Sequence, residues 1–319
     1  MADRTKIEYA NASWLPTSGS APGFRHPERL EIPLHWRKPR RITVGCDLFD
    51  EAIPDEFIDQ VMDTIMSCEL QSVRSRHTFL ILTKWAQRMR DYFATWAERN
   101  LPEEGRDDAP WPLKNLWLGV SVTNQDDADE RIPLLLSTPA AVRWVSVEPM
   151  GVVDLYASLF GEQYRWQGEH PDIPGMNTLH FVDGLGYGID WVVCGGETGP
   201  EARPMHPDWV RSLRDQCQAA GVPFFFRGWG EWWPYFANDD ESKVYEFADG
   251  ETSTSEQGVP PVGLPAYERH SFKTHEWPEH AERESSDGAA VSVRVGKRRA
   301  GRLLDGRTWD DLPASPSAP

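Results

Sequence analysis

Cysteine is scarce: Cys46, Cys68, Cys194 and Cys217 are the only four among 319 residues, and they lie far apart. That spacing excludes a disulfide framework and fits a reducing compartment. Long apolar runs are missing as well. Nothing approaches the roughly 20 consecutive apolar residues that a membrane span needs, so an integral membrane protein is not expected. The opening stretch, Met1-Ala2-Asp3-Arg4-Thr5-Lys6-Ile7-Glu8-Tyr9, has no apolar signal segment. Secretion is therefore not expected, and the chain is placed in the cytoplasm. Positive charge is in the minority, with 33 basic residues against 50 acidic ones and a net charge of −17. Such a chain has no global attraction for nucleic acid, which depends on clustered Lys and Arg, although local basic patches remain open. The familiar metal and nucleophile patterns are also absent. There is no H-E-x-x-H, no C-x-x-C and no G-x-S-x-G, and the nine histidines are dispersed without ligand-like spacing. His275 and His280 fall in an acidic stretch where a solvated role is expected. No metal ligands are assigned.

Tryptophan is abundant. Fifteen of them can furnish a core, an interface or a stacking surface, and the count alone does not choose. Short apolar runs recur through the middle of the chain at Arg41–Phe49, His77–Lys84, Leu116–Val122, Val142–Glu148, Asp190–Gly195 and Pro223–Arg227. They are rich in Val, Ile, Phe and Trp without polar alternation, which is how strands covered on both faces read. Between them the pattern predicts helices. One opens at Pro54-Asp55-Glu56 and runs to about Cys68, with Phe57, Val61 and Ile65 on one face. A second spans Trp85 to Glu98. A third spans Asn124 to Leu136, with Asn124 as N-cap and Pro133 as a potential kink. A fourth spans Pro207 to Ala220 and ends at Gly221, well suited to a C-cap.

Repeated strand-then-helix units predict right-handed crossovers and a parallel sheet. The expected fold is α/β, an incomplete parallel TIM-like (β/α) barrel of about six strands, with Ile7–Trp14 as a possible further strand. Residues 1–235 form the expected core, with an insertion at about 156–188. Residues 236–290 read as a long acidic irregular excursion near the C-terminus, 291–312 as a closing segment, and 313–319 as a disordered tail.

The strand ends carry the polar residues, and in such barrels the C-terminal strand ends line the site of chemistry. Asp47 follows the first run. Thr83 and Lys84 close the second, Ser121 and Asn124 the third, and Glu148 the fourth. Gly195, Gly196 and Glu197 follow the fifth, and Arg227 the sixth. Each is either a ligand contact or a support such as a helix cap. In Gly195-Gly196-Glu197-Thr198-Gly199, paired glycines give a ligand access to backbone amides, and the carboxylate can accept from an amine or a ribose hydroxyl. The alternative is a tight turn into the next segment. It is not a dinucleotide fingerprint, since G-x-G-x-x-G is absent, and there is no P-loop. Cys194, at a strand end, reads as a packed small residue.

Two further clusters stay open. Phe224-Phe225-Phe226-Arg227-Gly228-Trp229-Gly230-Glu231-Trp232-Trp233 either stacks a base or fills the barrel interior. Lys297 to Arg302 either meets phosphate or forms a solvated face.

These residues also carry a resemblance. Thr5-Lys6-Ile7-Glu8-Tyr9 with Trp14, Trp36-Arg37-Lys38-Pro39-Arg40, Asp47-Leu48-Phe49, Leu82-Thr83-Lys84, Leu118-Gly119-Val120-Ser121-Val122 and Glu148-Pro149 occur in order. Gly195-Gly196-Glu197-Thr198-Gly199, Ala202-Arg203-Pro204-Met205, Pro223–Gly230, and Gly296-Lys297 with Ala300-Gly301-Arg302-Leu303-Leu304-Asp305-Gly306 follow. Together they resemble a phage-encoded, radical-SAM-like protein family of unknown physiological function. The resemblance implies a barrel with a 4Fe-4S cluster held by three clustered cysteines, S-adenosylmethionine bound to its free iron, and a host-cytoplasmic location. It adds Arg203 to the candidate ligand residues.

The departure lies in the loop after the early Trp. Here Trp14-Leu15-Pro16-Thr17-Ser18-Gly19-Ser20-Ala21-Pro22-Gly23 passes directly into Phe24-Arg25-His26-Pro27, and the three-cysteine loop is missing. Relatives more often place Lys where Arg227 stands. None of the four cysteines rebuilds the trio by spacing.

Three readings follow. The first is a barrel that keeps a small-molecule or nucleotide pocket at the strand C-termini without radical chemistry. The second is an active radical-SAM-type enzyme on a nucleotide or nucleic-acid substrate. The third is an acid–base enzyme using Asp47, Lys84, Glu148 and Glu197.

Overall fold

The computed structural model describes residues 10–14, 27–45, 47–70, 77–100, 111–155, 188–236, 244–246, 252–254, 269–271 and 290–314. Cys46, the missing-cysteine loop at 15–26, the body of the 156–188 insertion, most of the 236–290 excursion and residues 315–319 lie outside them.

In chain order the elements are β1 (Ala10–Trp14), α1 (Ile32–His35), β2 (Arg40–Val44), α2 (Asp55–Leu70), β3 (Thr78–Thr83), α3 (Ala86–Asn100), β4 (Leu116–Val122) and α4 (Gln125–Leu136). There follow β5 (Val142–Val147), β6 (Trp191–Gly195), α5 (Pro207–Ala220), β7 (Phe224–Gly228), β8 (Trp232–Phe236), β9 (Val244–Glu246), β10 (Thr252–Thr254), β11 (Arg269–Ser271), β12 (Ala290–Arg294) and α6 (Lys297–Ala300). All six foretold strands form, and Ala10–Trp14 supplies a seventh.

The seven strands hydrogen-bond in the order of the chain, β1 through β7. Parallel registers join β1 to β2, β2 to β3, β3 to β4 and β6 to β7. Chain-ordered parallel strands are the winding of a (β/α) barrel; a doubly wound sheet reverses its order at a switch point. Among the described residues no pairing returns β7 to β1. The fold is α/β, an incomplete TIM-like barrel.

The expectation of strands covered on both faces holds for the middle of the sheet. All five residues of β6 are buried, as are all but one of β4 and of β5. It fails for β2 and β7, which alternate; in β7, Phe224 and Phe226 are buried while Arg227 is exposed. A charged guanidinium keeps its end in water, so a run of three Phe does not make this strand two-sided.

The chain divides into two compact units. The first comprises residues 1–121, 131–144 and 314–319; the second comprises 122–130 and 145–313. In the first, α2 buries Phe57, Val61 and Ile65 as their spacing foretold. An aromatic core joins Phe49, Tyr92 and Phe93, and Trp96 packs on Trp111 at 4.9 Å between ring centres. Arg88 stitches the loop after β2 to α3 by donating to the carbonyls of Phe49, Asp50 and Ile53 and to Asp55.

In the second unit, Gly221 closes α5 in the left-handed conformation with φ 70°, donating to the carbonyl of Gln218. The open edge of β7 is covered by the C-terminal segment: Phe226 N donates to Trp309 O at 2.9 Å, and Phe225 bridges Asp310 in antiparallel fashion. β8 and β12 pair antiparallel in a separate small sheet with β11. Periodicity did not mark β8, because Trp232-Trp233-Pro234 reads as a rim.

Among the described residues eight tryptophans go to the core, while Trp85 stays exposed. Trp96, Trp117, Trp144, Trp191, Trp209, Trp229, Trp232 and Trp309 are all buried. The indole N–H of Trp229 donates to Leu303 O and that of Trp232 to Ala202 O, and burial to 6% and 4% exposure leaves neither ring a face for stacking.

Candidate functional site

In the first unit, Asp47, Thr83 and Lys84 come together. The Asp47 carboxylate accepts from the Thr83 hydroxyl and, at 3.0 Å, from the Lys84 amide. Thr83 Oγ1 in turn accepts from Trp85 N at 2.9 Å, at the entry to α3. Lys84 thus joins the cluster through its backbone, while its side chain is exposed. The three residues set the turn that leads from β3 into α3. Ser121 uses its carbonyl to accept from Arg131 at 2.7 Å.

In the second unit, Asn124 is the N-cap that the sequence suggested: its Oδ1 accepts from Asp127 N at 2.9 Å. Glu148, one residue past β5, forms an ion pair with Arg227 near the end of β7. Arg227 also donates to Gly196 O at 3.3 Å. Both Glu197 oxygens are taken by Arg203, Oε1 from its Nη2 at 2.5 Å and Oε2 from its amide at 2.8 Å. The hydrogen bond to Glu197 raises the pKa of the Arg203 guanidinium, keeping it charged. The carboxylates of Asp47, Glu148 and Glu197 are thus all engaged within the protein, so a ligand ammonium has to displace Arg203 to reach Glu197.

Gly195 and Gly196 serve packing. The Gly196 amide donates to Gly228 O at 2.9 Å and is not offered to a ligand. A Cβ on Gly196 would fall 2.1 Å from Trp229 O, and one on Gly230 would fall 2.0 Å from Glu197 O. The turns 196–199 and 228–231 therefore press backbone to backbone. Glu231, which sequence reasoning passed over, ties them: its amide donates to Glu197 O and its carboxylate accepts from Gly199 N.

Where these turns meet α6 they border an open cavity of about 360 Å³. Gly196, Gly228, Gly230 and Gly301 form much of its wall together with Thr198. Arg227, Lys297, Arg298 and Arg302 supply its charge, and no carboxylate belongs to that wall. Of these, only Gly196 and Arg227 were named as ligand residues by the strand-end argument. The Lys297–Arg302 cluster was legible as charge, but its place at the ends of β6 and β7 was not.

The three described cysteines form no gathered ligand set. Cys68, Cys194 and Cys217 are buried on α2, β6 and α5, and among the described residues no three metal-ligating side chains gather. Burial pushes Cys68 from its ordinary 9.0 up to about 11 and Cys194 up to about 12, and raises Cys217 as well.

Because the unfolded chain ionises these groups near pH 9 and the folded chain only well above it, their contribution to stability is full below pH 9. It is lost as pH rises toward 12, at about 1.4 kcal/mol per thiol per pH unit. Urea midpoints should therefore fall between pH 9 and 10.5. Iodoacetamide at pH 8 should leave these three thiols unmodified until the chain is unfolded, and rapid native-state labelling of any of them would contradict the burial.

The fold and site together define an incomplete (β/α) barrel whose second unit carries a cationic, glycine-walled cavity at strand ends. Residues 20–313 match the family described as a protein of unknown function (DUF5131), and the chain belongs to that family. No curated protein and no solved structure matches it. Among the described residues no helix is long and apolar enough to cross a membrane.

Proposed function

We propose that this protein is a radical-SAM-like barrel that binds a small molecule or nucleotide at the strand C-termini and has lost the cluster on which radical chemistry depends. The observation that carries the reading is the cavity at the ends of β6 and β7. Its volume of about 360 Å³ falls in the range of small-ligand sites. Glycine backbone forms much of its wall, and Thr198 adds a hydroxyl. Against radical chemistry stands the composition itself, since four scattered cysteines hold no trio.

The resemblance puts S-adenosylmethionine among the ligands to try. Without a cluster iron to chelate its methionyl end, its affinity should be no better than millimolar to high micromolar, about 4–6 kcal/mol. Calorimetric titration of the full chain with S-adenosylmethionine and with nucleotides tests the reading. Hydrogen exchange should slow at residues 196–198 and 297–302 when a ligand binds. Failure of every ligand to bind, or protection confined to other segments, would remove this site and favour a protein-interaction role. Nanomolar binding of S-adenosylmethionine would mean that the methionyl end is held by groups other than a cluster.

A further inference from the structure

We propose that this cavity recognises phosphate, and that its ligand is a small molecule bearing one phosphate monoester, of mononucleotide size. The inference rests on the cavity being a ligand site and adds the chemical class of what enters it.

Charge is the first argument. In a chain of net charge −17, four cations and no carboxylate form this wall. Two of the four are compensated from outside it, Arg227 by Glu148 and Arg302 by Asp310. Lys297 and Arg298 are exposed and make no hydrogen bond or ion pair among the described residues. The Arg302 Nε is shielded from solvent yet donates to nothing. Two uncompensated positive charges match a phosphate monoester, which carries about −1.5 to −2 at neutral pH. A single carboxylate would leave one unmatched, and S-adenosylmethionine, whose sulfonium and ammonium outweigh its carboxylate, enters against the field.

Size is the second. About 360 Å³ is far more than one phosphate fills, and four of the nine residues that line it are glycines. A nucleoside-sized group bonded to the phosphate would occupy it. A nucleic-acid backbone is disfavoured, because its affinity grows with the number of phosphates neutralised and this patch meets few.

Calorimetry on the full chain tests this with matched pairs: ribose 5-phosphate against ribose, each of four mononucleotides against its nucleoside, and S-adenosylmethionine alone. The phosphorylated member should bind at least about tenfold tighter. The Lys297→Gln/Arg298→Gln double variant should lose about that factor for the phosphorylated member and clearly less for its nucleoside. Both side chains are exposed, and thermal melts of the variant check that folding is intact.

If nucleosides or S-adenosylmethionine bind as tightly as the phosphorylated compounds and the double variant changes nothing, the phosphate assignment falls while the ligand site stands. If nothing binds, phosphorylated or not, both fall. An oligothymidylate that binds equally with and without a 5′-phosphate, and weakens steeply with salt, would overturn the assignment in favour of a nucleic-acid surface.

Discussion

Replacing Gly230 with alanine should destabilise the protein by about 3–5 kcal/mol, a large part of the stability of an ordinary domain. Two costs combine. At φ 73° the backbone sits where an L side chain is disfavoured, which costs on the order of 1 kcal/mol or more. The new Cβ would also stand 2.0 Å from Glu197 O and 2.7 Å from Gly196 C, both backbone atoms that no rotamer change can move aside. Either the turn 228–231 or the turn 196–199 has to shift, and the cavity wall with it. Gly221→Ala separates the two costs. It has a similar φ of 70° at the end of α5 but nothing within 4 Å of its Cβ, so about 1 kcal/mol is expected there. Urea unfolding followed by tryptophan fluorescence measures both variants. Equal losses at the two positions would mean that the close approach of the two turns is not a feature of the protein in solution.

Trp309→Ala should cost about 3–5 kcal/mol, the usual range for truncating a buried tryptophan. Trp309 is 6% exposed. Its ring meets Phe224 edge-on at 6.0 Å and lies under the Arg307 guanidinium, and its indole N–H donates to Leu304 O at 3.2 Å. The same residue accepts from Phe226 N, so losing its anchor also loosens the segment that covers the edge of β7. An uncovered edge is a template for pairing with another chain. Increased aggregation above the melting onset is therefore expected alongside the lower urea midpoint. Trp309→Phe, which keeps the ring contact but drops the N–H, should recover about half of the loss. A wild-type midpoint for Trp309→Ala would show that residues 309–311 do not hold the strand edge.

Much of the architecture was legible from residue pattern alone. Apolar runs such as Leu116–Val122 and Asp190–Gly195 became strands within a residue or so of their expected bounds, since strand burial is written in consecutive side chains. The caps Asn124 and Gly221 were readable because their chemistry is local: a short side-chain acceptor in one case, freedom for positive φ in the other. Alternating strands and helices were enough for the class of fold.

The meaning of the site was left to tertiary structure. A glycine announces that something comes close without saying what, and at Gly196 it is the Trp229 carbonyl. Glu197 read as a free acceptor until its neighbour six residues on, Arg203, turned back to claim it. Glu148 met a partner 79 residues away, at the end of another strand. Lys297, Arg298 and Arg302 looked like surface charge because nothing nearby in the chain faces them; only packing of α6 beside the ends of β6 and β7 makes them the wall of a cavity. Secondary structure follows from interactions within a few residues, so the chain alone determines it. A site here is an adjacency between segments about a hundred residues apart, and that adjacency exists only once the core has closed.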